Sequence, residues 1–246
     1  MTTSLSPEYY HAHHGAFQDD LPFWLALARQ SKGPILALGC GTGRVALPLA
    51  QAGFPVVGVD ISSEMLGFLQ ARQTADTLAL LQADFLRLPL AAQSFALAVL
   101  PCNTYTTIPL EARPAFLRGV ARVLQPGGVF ALSAPNPPFV ATLPPEAEAE
   151  PEGGFRAPSS GVAVQVSSGW QREGHRWTVI WHYDDLHPDG RVHRHTVTQT
   201  HFLATLDTER GWFQDAAFTI LQESGDFAST PWTPDAPYWV VTAQRG

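Results

Sequence analysis

The feature that most constrains this chain is a short apolar run, Ile35-Leu36-Ala37-Leu38, that stops on Gly39-Cys40-Gly41-Thr42-Gly43 and passes into a helical pattern over residues 45–52. An apolar run closed by glycine reads as a buried strand. Glycines let the backbone turn sharply and approach a ligand without side-chain clash. The alternation then continues. Strands are predicted over 55–59, 78–82, 95–100 and 129–133. Helices are predicted over 20–30, from Ser62-Ser63-Glu64 to about residue 74, and over 111–123. Pro126-Gly127-Gly128 is the turn into the strand at 129–133. Strands alternating with helices predict an α/β fold with a doubly wound, mostly parallel sheet.

A chain of 246 residues, 45% apolar and 15% charged, suffices for one large α/β domain or a core with a small insertion. The formal charge of -7 argues against nucleic acid, which needs a basic surface, and toward a small-molecule partner. The two cysteines, Cys40 and Cys102, are too few for a disulfide framework and fit a reducing compartment. Residues 1–10 lack a basic run followed by an apolar core, and no stretch reaches the roughly 20 apolar residues of a membrane span. A cytoplasmic protein with no membrane partner is expected.

Beyond residue 134 the composition changes. Residues 135–158 hold seven prolines and an acidic run over 146–152, and they read as a mobile linker or lid without regular structure. Strand patterns follow over 162–170, 176–186 and 192–203, with His187-Pro188-Asp189-Gly190 as the hairpin turn between the last two. Trp177, Val179, Trp181 and Tyr183 alternate and share one face. A helix over 208–217 and strands over 218–223 and 238–243 close the chain. The expected division is therefore 1–135, a ligand-binding core with N-terminal cap helices; 136–205, a proline-rich linker and antiparallel β lid; and 206–246, a last helix and strand pair, ending antiparallel, that completes the core.

Asp60 ends the second strand, 17 residues after Gly43, where a carboxylate can accept both hydroxyls of a ribose. The glycines alone leave the ligand open. Read from Gly41, Gly41-x-Gly43-x-x-Ala46 satisfies the looser dinucleotide fingerprint; read from Gly39, Arg44 breaks it.

Further residues narrow the choice. Ile35-Leu36-Ala37-Leu38-Gly39-Cys40-Gly41-Thr42-Gly43-Arg44 is similar to the first motif of the class I, Rossmann-like S-adenosylmethionine-dependent methyltransferases. Val57-Gly58-Val59-Asp60-Ile61-Ser62 with Glu64-Met65-Leu66 resembles their second motif, Gln82-Ala83-Asp84-Phe85 their third, and Leu124-Gln125-Pro126-Gly127-Gly128 the turn before their fifth strand. The resemblance spans residues 34–133. It implies S-adenosylmethionine as cofactor, held by Gly39, Cys40, Gly41, Gly43, Asp60, Ile61, Met65, Asp84, Phe85 and Pro101. In this scheme Asp60 takes the ribose, Met65 packs on the adenine, and Asp84 accepts from the adenine amine beside Phe85. Tyr9-Tyr10 resemble N-terminal aromatics that cover the donor in small-molecule methyltransferases, so Tyr10 joins the cofactor set. The family commonly carries an acid two residues before the first glycine, where this chain has Ala37.

Ligands of open α/β sheets sit beyond the carboxyl ends of the strands. The segment Pro101-Cys102-Asn103-Thr104-Tyr105-Thr106-Thr107 is rich in small polar groups there, and Asn103 and Tyr105 are the predicted acceptor contacts. Asn136-Pro137-Pro138-Phe139 matches the letters of an amino-methyltransferase motif but follows the fifth strand, so it reads as linker. Histidines cluster at His11, His13 and His14, and His193, His195 and His201 share parity on one strand. Neither set has a matching Cys or carboxylate framework, so no metal is expected. His182 and His201 are candidate acceptor-site groups. The antiparallel insertion and the ending Gly225-Asp226-Phe227 with Tyr238-Trp239-Val240-Val241-Thr242-Ala243 resemble those of amino-sugar and small-amine N-methyltransferases. There Trp177 or Trp181 would line the acceptor lid, pack it, or make a homodimer contact. Methyl transfer to nitrogen or oxygen of a small molecule is the expected activity. The alternatives are a non-catalytic S-adenosylmethionine-binding regulator and an NAD(P)-dependent oxidoreductase.

Overall fold

A computed structural model describes residues 5–246; residues 1–4, part of the stretch read above for a leader, lie outside it. In chain order the first half runs α1 (Pro7–His14), α2 (Leu21–Gln30), β1 (Ile35–Leu38), α3 (Ala46–Gln51), β2 (Val56–Asp60), α4 (Ser63–Arg72), β3 (Leu78–Gln82), β4 (Phe95–Leu100) and α5 (Arg113–Val123). Then come β5 (Leu124–Pro135), α6 (Pro137–Thr142), β6 (Glu146–Arg156), β7 (Ala163–Glu173), β8 (Arg176–Leu186), β9 (Val192–Phe202), α7 (Leu206–Asp215), β10 (Phe218–Ser224) and β11 (Tyr238–Arg245). No helix among the described residues is long and apolar enough to cross a membrane.

The larger of two compact units comprises Asp19–Thr142 and Ala204–Gly246. Its seven strands lie in the order β10-β11-β5-β4-β1-β2-β3, with β11 antiparallel to both neighbours and the other pairings parallel. All four residues of β1 are buried, as a strand covered on both faces requires. Ile35 and Ala37 pack with Trp24, Ala28 and Leu49 of α2 and α3. Leu36 and Leu38 pack with Phe116 and Phe213 of α5 and α7. The strand order reverses between β1 and β4, so the crevice for a ligand opens at their carboxyl ends.

Below the loop after β4 the core is polar. Arg113 of α5 is ion-paired with Glu209 of α7, both fully buried, and its Nε–H donates to the Ile108 carbonyl at 3.1 Å. The Tyr105 hydroxyl donates to Glu209 at 2.6 Å, and the Arg113 guanidinium lies 4.8 Å from the centre of its ring. Burial pushes the Glu209 carboxyl up, while Arg113 and the Tyr105 hydroxyl pull it back. A desolvated pair of this kind holds only while every partner is present.

The smaller unit comprises residues 5–18 and Leu143–Leu203. Its antiparallel sheet has the order β6-β7-β8-β9, and its apolar cluster is Ala157, Val164, Val166 and Tyr183, packed by Leu5, Tyr9, Phe155, Trp181 and Val197. His187 and Arg191 close the β8–β9 connection through a 2.9 Å backbone hydrogen bond, as the turn residues predict.

Two expectations change here. Residues 135–158 are not an irregular linker: Pro137-Pro138 start α6, and 146–156 form edge strand β6. Proline is tolerated in the first helical turn. On an edge strand proline and charge are tolerated at bulges, and Pro151 sits at a register shift against β7. The ladder partner, remote in sequence, supplies what the local pattern lacks. The division of the chain also differs from the expected one, because α1 belongs to the smaller unit. The Tyr9 ring meets Phe155 edge-on at 5.4 Å, and its hydroxyl donates to Asp185 at 2.9 Å.

Candidate active site

Five chain segments of the larger unit meet at the carboxyl ends of its strands. Gly39, Gly41 and Gly43 have φ of +57°, +52° and +86°, a region that side chains disfavour. The loop is also tightly backed: a Cβ on Gly43 would lie 2.2 Å from the Leu69 side chain. The Asp60 carboxylate ties this loop to the second strand. Its two oxygens accept from the Gly41 N–H at 2.7 Å and the Ser62 N–H at 2.9 Å. A carboxylate offers about four acceptor positions, so both oxygens retain capacity for hydroxyl donors. Asp60 thereby orients the loop, a task the family resemblance gives to an acid at position 37, where Ala37 is buried and apolar.

Beside Asp60, the Ile61 side chain is 68% exposed, an apolar surface open to a ring. Met65 is half-buried in the first turn of α4, whose cap is the Ser62 hydroxyl accepting the Met65 N–H at 3.2 Å. Asp84 is exposed, and one of its oxygens accepts the Leu86 N–H at 2.9 Å. The half-buried Phe85 ring is braced edge-on by Phe116 at 5.6 Å. The Cys40 thiol lies against Gly58, and burial pushes it up to about 12, so it stays protonated and unreactive. The cofactor residues expected in the larger unit thus gather at one end of one sheet. Tyr10 belongs to the other unit. It lies on α1 of the smaller unit, 4.6 Å from the His14 ring.

Pro101 directly follows β4, and Cys102 and Asn103 come next with φ of +63° and +60°. Left-handed backbone costs a non-glycine residue roughly 1–2 kcal/mol, and such strain concentrates at functional sites. The hydroxyls of Thr104, Thr106 and Thr107 hold this turn by donating to the carbonyls of Pro101, Asn103 and Thr104 at 2.9, 2.8 and 2.7 Å. Tyr105 differs from its predicted role. It is fully buried and its hydroxyl is spent on Glu209, so it supports the turn from beneath instead of facing an acceptor. Asn103 remains at the surface of the crevice, half-buried.

Sequence reasoning missed one organiser, Asp20. Its carboxylate accepts from both terminal nitrogens of Arg44 at 2.5 and 2.6 Å and from the Trp24 indole at 2.8 Å. Arg44 also reaches the Cys102 sulfur at 2.8 Å, so one buried pair links α2, the glycine loop and the strained turn. The signal was an acid four residues before a tryptophan at a helix start, with an arginine closing the glycine run.

Asn136 is buried, and its amide nitrogen lies 2.7–3.1 Å from the carbonyls of Thr233, Pro234 and Ala236. Its amide therefore holds the loop before β11. In the smaller unit, His182 pairs with Thr196 at 2.9 Å and His201 lies buried beside the Trp177 ring at 5.3 Å.

The reversing sheet, the glycine cradle and the anchored Asp60 form a Rossmann-like crevice suited to a nucleotide-like cofactor. Residues 35–128 match the methyltransferase domain family. The cypemycin N-terminal methyltransferase of a Streptomyces species is 34% identical over 116 residues, 46% of this chain and 47% of that protein. The chain spans under half the length of the first curated relatives it matches. Among solved structures, an S-adenosylmethionine-dependent methyltransferase from Clostridium acetobutylicum ATCC 824 superposes with a TM-score of 0.79 at 15% identity, covering 96% of each chain. The sugar N-methyltransferase KedS8 from Streptoalloteichus sp ATCC 53650 does so with a TM-score of 0.77 at 18% identity, covering 100% of this chain and 94% of that one.

Proposed function

We propose that this protein is a cytoplasmic enzyme that transfers the methyl group of S-adenosylmethionine to a nitrogen or oxygen of a small-molecule acceptor. The Asp60 carboxylate carries the reading. It is anchored by the Gly41 and Ser62 N–H groups, keeps capacity for two ribose hydroxyls, and lies at the crevice beside an exposed apolar Ile61. Asp84 is suited to an exocyclic amine and Phe85 to the face of a base. The likeness in fold to a sugar N-methyltransferase and the formal charge of -7 favour a neutral or cationic small acceptor over a nucleic acid.

When bound, the cofactor supplies an activated methyl on a sulfonium. The task left to the chain is alignment, which accounts for most of the acceleration in a displacement of this type. Asn103, held in its strained turn by Arg44 through Cys102, is the group available to orient an acceptor; Tyr105 acts on it only through the turn. A neutral amine needs no base, whereas a hydroxyl must lose its proton in the transition state.

Mass spectrometry of ligand retained by the purified protein, followed by a panel of amines, amino sugars and alcohols screened for S-adenosylhomocysteine release, tests the reading. Release that depends on one acceptor class is expected. Tight S-adenosylmethionine binding without release from any acceptor would favour a non-catalytic binding protein, the reading that the missing acid at Ala37 supports. Tight NAD binding without response to S-adenosylmethionine would sink both.

A further inference from the structure

The hairpin β8–β9 assembles a side-chain cluster that the methyl-transfer reading does not use. The antiparallel register sets Asp185 opposite His193 and Tyr183 opposite His195, so two histidines alternating along β9 meet a carboxylate from β8 on one face. The His195 Nε2 lies 3.1 Å from the His193 Nδ1 and 3.3 Å from the Asp185 Oδ2, and the His193 Nδ1 lies 3.9 Å from the same oxygen. Those three separations describe a triangle whose corners are all about 2.0 Å from one interior point. Zinc takes imidazole nitrogen at roughly 2.0–2.1 Å and carboxylate oxygen at roughly 2.0–2.2 Å, so the three atoms are spaced to reach one ion, with side-chain rotation to bring the wide His193–Asp185 angle toward tetrahedral.

The charge balance points the same way. Asp185 is 8% exposed, and among the described residues no Lys or Arg pairs with it; the neighbouring Arg194 is paired with Asp184 instead. A buried carboxylate needs a cation or a metal to offset its lost hydration. Its second oxygen accepts from the Tyr9 hydroxyl at 2.9 Å, the outer support that metal-bound carboxylates usually have. We propose that Asp185, His193 and His195 bind one divalent transition-metal ion of the zinc type, with Tyr9 orienting the carboxylate. Two imidazoles and one carboxylate favour zinc, cobalt or nickel over magnesium or calcium. Three protein ligands leave a fourth position for water or another donor.

The site lies wholly within the smaller unit, so its test is independent of methyl transfer. Full-length, tag-free protein is stripped with chelator and titrated with Co(II), read by its visible ligand-field absorption, and with Zn(II) by calorimetry. One ion per chain is expected. His193→Ala, at a side chain 65% exposed and so harmless to the fold, and Asp185→Asn are each expected to weaken binding by more than about a hundredfold. Tyr9→Phe is expected to weaken it about tenfold, and His13→Ala to leave it unchanged. Absence of binding to the wild-type chain, or an affinity for His193→Ala within about threefold of wild type, overturns the proposal. So does a loss confined to His13→Ala, which would move the ion to the α1 histidines.

Discussion

The two units treat their buried acids in opposite ways. In the larger one the buried Asp20 and Glu209 and the half-buried Asp60 are matched by fixed donors: Asp60 by the Gly41 and Ser62 amides, Asp20 by Arg44 and Trp24, and Glu209 by Arg113 and Tyr105. In the smaller one Asp185 has a tyrosine hydroxyl and two histidines but no guanidinium or ammonium among the described residues. The first arrangement builds a rigid cradle that keeps acceptor capacity for a ligand's hydroxyls. The second sets a carboxylate against two imidazoles, the arrangement on which the proposed metal site rests. Acids of the same chemistry thus take different functions according to which donors the fold brings to them.

The largest test of this contrast is Glu209→Ala. Removing one partner of a desolvated pair leaves Arg113 buried and uncompensated, at a cost of about 3–5 kcal/mol in denaturant unfolding. The affinity of the remaining folded molecules for S-adenosylmethionine should be unchanged. A loss below about 1 kcal/mol would mean that the pair is not desolvated.

Asp60→Asn should reverse the pattern. Loss of a charged acceptor costs roughly 1.5–3 kcal/mol of cofactor binding, or about 10–100-fold in calorimetric Kd, with a smaller change in stability. A melting temperature that falls while the Kd holds would make Asp60 a loop fastener only.

Asn136→Ala should cost about 1–3 kcal/mol of stability by stripping the carbonyls of residues 233, 234 and 236 of their donor. Turnover per folded molecule should persist; its abolition would restore the catalytic reading of the Asn-Pro-Pro-Phe letters.

The smallest effect concerns Cys40. With its thiol pushed up to about 12, only about one molecule in ten thousand carries the thiolate at pH 8. Alkylation followed by mass spectrometry should be correspondingly slow and rise about tenfold per pH unit. Fast labelling at neutral pH would show that the loop opens.

The ordered strands, the glycine loop and the acid at position 60 were legible because they are local. An apolar run, a glycine run and an acid at a strand end each act through their own neighbours in the chain. Asp20 was not legible, since its meaning depends on Arg44, 24 residues on, and on Cys102 beyond that. Tyr105 was misread for the same reason. A tyrosine in a polar loop is a surface residue until Glu209, 104 residues away, takes its hydroxyl. Strand β6 was illegible because its proline and acids are acceptable only on an edge, and edge position belongs to the sheet.

The sequence by itself determined the α/β class, the strand–loop–helix cradle and the acid that meets it, because spacing along one chain sets which backbone groups a loop can present. The tertiary structure decided how each acid is neutralised. Charge compensation is a matter of a few ångströms in space, and only folding placed Arg44 on Asp20, Arg113 on Glu209, and His193 with His195 on Asp185.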